Sequence, residues 1–100
     1  MLVFEKSISV DDTLIERGNR YGEFSAHAQL SYTLRTDIEN HMALYNSVQF
    51  DNLPFYMQEA LILICHKLAR IANGDPFYID NFTDIAGYSQ LVINELNKGN

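Results

Sequence analysis

Apolar residues recur along most of this chain with the period of an α-helix, and turn residues break the recurrence into four segments. Ala26, Leu30, Leu34, Ile38 and Met42 return at every fourth position, with Thr33, Asp37 and His41 on the neighbouring stripe. This spacing predicts an amphipathic helix over about 26–45, with Ser25 as a candidate N-cap. After the loop NSVQFDNLP, whose Phe50 and Leu53 are expected to tuck onto the core, Pro54 suits the first turn of a helix over about 55–73. There Met57, Leu61, Ile64, Leu68 and Ile71 share one face, expected to be its core stripe. Ile62, Leu63 and Cys65 make its middle apolar on other sides too, as suits a central helix. Asn73-Gly74 followed by Asp75-Pro76 ends it.

The last segment follows the turn GDPFYID. Asp80 is the natural N-cap, Phe82, Ile85, Ser89, Val92 and Leu96 form the apolar stripe, and Lys98-Gly99 closes the helix. Gly87 in its middle costs about 1 kcal/mol relative to alanine, easiest to justify if a helix or ligand approaches closely there. At the other end of the chain, residues 1–10 alternate weakly and read as an extended arm. Asp11 and Asp12 are N-cap candidates for a short helix containing Leu14, Ile15 and Glu16 and stopped by Gly18. The stretch GNRYGEF, with glycines at 18 and 22, then reads as a sharp turn delivering Arg17, Arg20 and Tyr21. No convincing strand remains. The expected fold is all-α, a single-domain bundle of about four helices over residues 1–100.

Composition adjusts this picture in few places. One hundred residues allow one real core. A net charge of −6 argues against a broad footprint for nucleic acid, though not against a local cluster of bases that holds phosphate. The single cysteine, Cys65, lies in an apolar run and reads as a small buried hydrophobe. The longest apolar run, residues 60–65, is far too short to span a membrane. The N-terminus is charged too early for a secretory signal. These features point to a reducing cytoplasm.

The candidate chemistry lies on the third and fourth helices. At about 100° per residue, Glu59, His66, Arg70 and Asn73 fall within about 60° of one another, with Lys67 flanking. Arg70 as a fork and Lys67 as a point charge suit phosphate oxygens. The plainer alternative is that they are solvated or paired with Asp80 and Asp84. Asp84, one turn before Tyr88, is a candidate partner for Lys67 or Arg70. The metal alternative takes Glu59, Asp80 and Asp84 as oxygen ligands of Mg²⁺. The three histidines, His27, His41 and His66, show no zinc spacing. No nucleophile elbow, Walker loop or dinucleotide fingerprint is present. Tyr21 and Tyr88 are the best-placed of six tyrosines to stack on a base. The candidate ligand-binding set is therefore Arg17, Arg20, Tyr21, His66, Lys67, Arg70, Asp84 and Tyr88.

The pieces ERGNRYGEFSAHA (16–28) and HKLARIANGDPFYIDNFTDIAGY (66–88) resemble a group of small phage and prophage proteins with ERG-x-x-YG-x-F, K-x-x-R-I-x-NGDP and D-x-x-x-DI-x-GY segments. More distantly, the layout is similar to the all-α nucleoside triphosphate pyrophosphohydrolases of the MazG type. The phage resemblance implies the cytoplasm of a bacterial host, and the MazG-type resemblance a nucleotide-sized pocket. The latter also implies paired E-x-x-E and E-x-x-D motifs holding Mg²⁺, and this chain departs from both: its third helix has Glu59 alone and its fourth has Asp80 and Asp84 four apart. Three functions are therefore weighed. The first is a binder that holds a nucleotide or nucleotide-derived host defence signal without turnover. The second is a Mg²⁺-dependent pyrophosphohydrolase, and the third a module that inhibits a host protein through its surface. A homo-oligomer is expected under all three.

Overall fold

The computed structural model of the chain describes residues 10–99. It contains four helices, α1 (Val10–Tyr21), α2 (Phe24–Tyr45), α3 (Phe55–Asn73) and α4 (Ile79–Lys98), with a 3₁₀ turn at Phe50–Asn52 and no strand among the described residues. The fold is the expected small all-α bundle. The extended arm expected at 1–10 lies outside the described residues except for Val10, which opens α1. No described helix is long and apolar enough to cross a membrane.

Helix α3 is the centre. Helices α2 and α4 flank it without packing substantially on each other, and α1 lies across the end where α3 finishes. The seams are built from small residues: Ala60, Cys65 and Ala69 of α3 are buried, the last completely. Small side chains let the flanking backbones come close, and burial pushes the Cys65 thiol pKa up. Phe50 is buried beneath the 3₁₀ turn, as expected of it. Gln58 ties that turn to α3 by donating its Nε2 to the carbonyls of Leu53 (2.8 Å) and Asp51 (3.1 Å).

Three local expectations are corrected. Gly18 does not stop the first helix; α1 runs through it to Tyr21. The terminating glycine is Gly22, whose φ of 79° is left-handed and whose N–H donates to the Gly18 carbonyl at 2.9 Å. A glycine inside a helix weakens it by about 1 kcal/mol without ending it, whereas a left-handed cap favours glycine, so only the second glycine of the pair turns the chain. Ser25 is not the cap of α2, since that position belongs to Glu23, to which the Ser25 hydroxyl donates at 3.1 Å. Asp80 is not the cap of α4 either. Tyr78 holds that position, and Asp80, inside the first turn, accepts a 2.8 Å bond from the Tyr78 hydroxyl. A carboxylate there still favours the positive end of the helix.

The close approach expected at Gly87 occurs elsewhere. Gly87 faces open space, while a Cβ on Gly22 would collide with the Asn73 backbone and one on Gly74 with the Arg20–Tyr21 backbone. The ends of α1 and α3 are thus pressed together at two glycines, and the Asp75 N–H donates across the joint to the Arg20 carbonyl at 2.7 Å. This clasp places the glycine turn against the polar stripe of α3.

The core stripes are also less buried than their spacing predicts. Leu68 of α3 and Phe82 and Leu96 of α4 remain substantially exposed. The molecule is elongated, 54 × 30 × 27 Å, with a radius of gyration of 17.0 Å against about 13 Å for a compact domain of this length.

Candidate functional site

Where α1 crosses the end of α3, a cleft of about 530 Å³ opens between α1, α2 and α3, lined by Arg17, Tyr21, Glu23, Phe24, His27, His66 and Arg70 among others. Each side chain arrives by a different local device. Arg17 and Tyr21 are one turn apart on α1 and reach the cleft because α1 continues through Gly18. His66 and Arg70 are one turn apart on α3. His27 projects from the first turns of α2, directly after the glycine turn.

Arg70 sets the character of the site. Its guanidinium carbon stands 4.0 Å from the centroid of the Tyr21 ring, a cation–π distance that fixes the fork without consuming its hydrogen bonds. Its Nε is buried with no hydrogen-bond partner, and no carboxylate pairs with Arg17 or Arg70 among the described residues. His27 is 4 % exposed and its Nδ1 also lacks a partner. Its ring lies 5.4 Å from that of His66 and 5.3 Å, edge-on, from that of Phe24. Buried polar atoms without partners are uncommon, because each carries its desolvation cost uncompensated.

Both histidines are held below the ordinary imidazole pKa. Burial is the larger cause for each and the Arg70 charge the next, with His27 and Lys67 adding to the effect at His66. Near neutral pH the cleft therefore presents two guanidinium groups, two neutral imidazoles and two aromatic rings, with Glu23 as its carboxylate. No serine or cysteine lines it. The donor set suits an anion with an attached flat group: arginine forks for the charge, imidazole N–H groups for further oxygens, and aromatic faces for stacking.

The eight residues picked from the sequence do not form one site. Arg17, Tyr21, His66 and Arg70 share the cleft. Arg20 turns away, pairing with Glu16 at 2.6 Å, standing 4.9 Å from the Tyr78 ring and donating to the Tyr78 hydroxyl at 3.1 Å. Lys67 is one residue, hence about 100°, round α3 from His66 and points to α4, where its Nζ meets Asp84 at 2.8 Å. That ion pair is the partnership expected for Asp84; its alternative, Arg70, stands at the cleft instead. Tyr88 lines a separate, mostly apolar groove of about 370 Å³ with Tyr56, Glu59 and Leu91. Asp80 is engaged by the Tyr78 hydroxyl and Asp84 by Lys67, and no described group of three His, Cys, Asp or Glu side chains is arranged to hold a metal ion.

His27 and Phe24 complete the cleft and were absent from the sequence-picked set. A signal for His27 existed: it lies seven residues before Leu34, which puts a polar ring on the apolar stripe of α2. Comparison of the chain with protein-family models, with curated proteins and with solved structures gives no match.

Proposed function

We propose that the chain binds a small phosphate-bearing ligand of nucleotide size in the cleft between α1, α2 and α3, and holds it without turnover. The observation that carries this reading is the Arg70 guanidinium, stacked on Tyr21 and free of any described carboxylate, beside the buried His27 Nδ1 that has no partner. Arg17 and Arg70 take the phosphate oxygens, and Phe24 or Tyr21 offers a face for a base. A nucleotide-derived host defence signal is one ligand of this chemistry. The engagement of Asp80 by Tyr78 and of Asp84 by Lys67 favours holding over Mg²⁺-dependent hydrolysis, and the buried His27 and Arg70 Nε of the cleft favour a small molecule over a host protein as its occupant.

Titration calorimetry and thermal shift with phosphate, pyrophosphate, nucleoside mono- to triphosphates and cyclic nucleotides test this reading. Saturable binding is expected to at least one class, weakened by Arg70→Gln and Arg17→Gln and unaffected by Tyr88→Phe. Absence of saturable binding across the panel removes the proposal. Release of pyrophosphate or phosphate from a bound nucleotide replaces it with the hydrolase.

A further inference from the structure

The apolar stripes of the three long helices open onto one side of the molecule. On α3, Leu68 lies about 200° from both His66 and Arg70, so the stripe of Leu61, Ile64 and Leu68 faces away from the side that α1 covers. Leu68 shares an apolar groove of about 300 Å³ with Leu34, Ile38 and Met42 of α2. On α4, Phe82 and Ile93 lie about 160° and 180° from Asp84, whose neighbours Tyr88 and Leu91 border the opposite groove with Glu59. These side chains belong on the inside of a protein, yet Leu68 is 42 %, Phe82 54 %, Ile93 47 % and Leu96 46 % exposed.

Three helices side by side make a single layer, and a stable domain needs a second layer against its apolar face. We propose that the second layer is another copy of this chain, docked face to face on the Leu68–Phe82–Ile93 surface. Surface area selects this occupant. The chain exposes 7255 Å², where a compact monomer of its 11.5 kDa mass exposes about 5,800 Å². The excess, about 1,400 Å² by that scaling, matches one protomer's share of an obligate homodimer interface, which buries about 2,000–5,000 Å² in total. Side-chain identity then selects the face. The opposite groove carries Glu59, with Asp84 and Glu95 held by Lys67 and Lys98, whereas the proposed face presents Leu68, Phe82, Ile93 and Leu96 around one acid, Asp37, beside His41. It also leaves the cleft beside α1 open, so ligand binding and pairing are separable.

Sedimentation equilibrium of the full chain is expected to give about twice 11.5 kDa, falling to the single-chain mass in Leu68→Arg/Phe82→Arg. Hydroxyl-radical footprinting of the unaltered chain over a dilution series provides a second readout that does not depend on a variant folding. Leu68, Phe82, Ile93 and Leu96 are expected to lose reactivity as concentration rises, while Leu14 and Leu91 keep theirs. A single-chain mass at the highest concentration overturns the proposal, as does protection of Leu14 and Leu91 in place of the four. Protection of the four only on addition of a different protein also overturns it.

Discussion

The Arg70 guanidinium stands over the Tyr21 ring, 4.0 Å from its centroid, and so joins the last turn of α3 to the last turn of α1. The contact is possible because Gly22 and Gly74 let the two helix ends meet backbone to backbone. It holds a cation at a cleft in which no described carboxylate comes within ion-pair distance of it.

Replacing Arg70 by lysine tests whether the fork and its stacking matter or only its charge. Lysine keeps the charge and loses both the planar stack and the paired donors. Phosphate-ligand affinity is expected to fall by about 1 kcal/mol, roughly fivefold, with Tyr21→Leu giving a similar loss. Calorimetry on the two variants and on the double variant measures this. Additive losses would show that the ring and the guanidinium do not act as a unit.

The four helical and turn glycines should separate into two classes. Gly22→Ala and Gly74→Ala drive a Cβ into the opposing backbone, and at Gly22 the backbone is left-handed as well. Each is expected to lower stability by about 2 kcal/mol or more and to abolish ligand binding with the clasp. Gly18→Ala and Gly87→Ala place a methyl in open space within a helix, and each is expected to stabilise by about 0.5–1 kcal/mol. Urea titration of the four variants decides the sorting. Loss of stability in Gly18→Ala would contradict the continuity of α1 through that residue.

These glycines also show what the sequence could carry. Helix periods are local, so α2 to α4 are legible to within a few residues, and the pairing of Lys67 with Asp84 follows from two helix faces meeting across a short turn. Gly18 and Gly22 look alike in sequence because the distinction lies in one dihedral angle and one opposing backbone. Asp80 likewise has the right type for a cap, but α4 begins at Ile79 and puts it inside the first turn, where it accepts from the Tyr78 hydroxyl, itself held by Arg20 from another helix. Which side of α3 each polar residue serves also depended on placement: α1 covers His66 and Arg70, while α4 takes Lys67. The place of His27 in the cleft depends on α1 closing over it, which no local pattern carries.

Lys67 is buried and its partner Asp84 is about half exposed, so the two ends of this bond should respond differently to removal. Asp84→Asn leaves an ammonium in the α3–α4 seam without its counter-ion, and is expected to cost about 1–2 kcal/mol, less than the 3–5 kcal/mol of a fully buried pair. Lys67→Met replaces the buried stem by an apolar one and frees Asp84 to water, and is expected to be within about 1 kcal/mol of neutral. In Lys67→Met/Asp84→Asn the cost of the second change should vanish. Chemical denaturation gives all three values. Equal penalties for the two single changes would place the pair among ordinary surface bridges.

The two cleft histidines predict that stability and ligand affinity move in opposite directions with pH. Burial and the Arg70 charge hold both imidazoles below their unfolded pKa of 6.5. Above that value neither state carries the protons, and the folded chain has its full stability. As pH falls through 6.5 toward the lowered folded values, the unfolded chain takes up protons that the folded chain does not, so stability declines. The decline ends once the folded imidazoles are protonated too. An anion between Arg17 and Arg70 offsets the charge that opposes protonation, raises both imidazole pKa values, and is bound with proton uptake. Its affinity should therefore increase over the interval in which the ligand-free protein weakens. Thermal unfolding and calorimetry between about pH 7.5 and about pH 5.5 read both trends. In His27→Gln/His66→Gln the affinity for a cyclic nucleotide, whose phosphodiester keeps its charge over this range, should become nearly flat with pH, and the stability profile should keep only the slope that carboxylates elsewhere impose. An affinity for that cyclic nucleotide that falls with acidification in the unaltered chain would mean that the imidazoles do not face the bound charge.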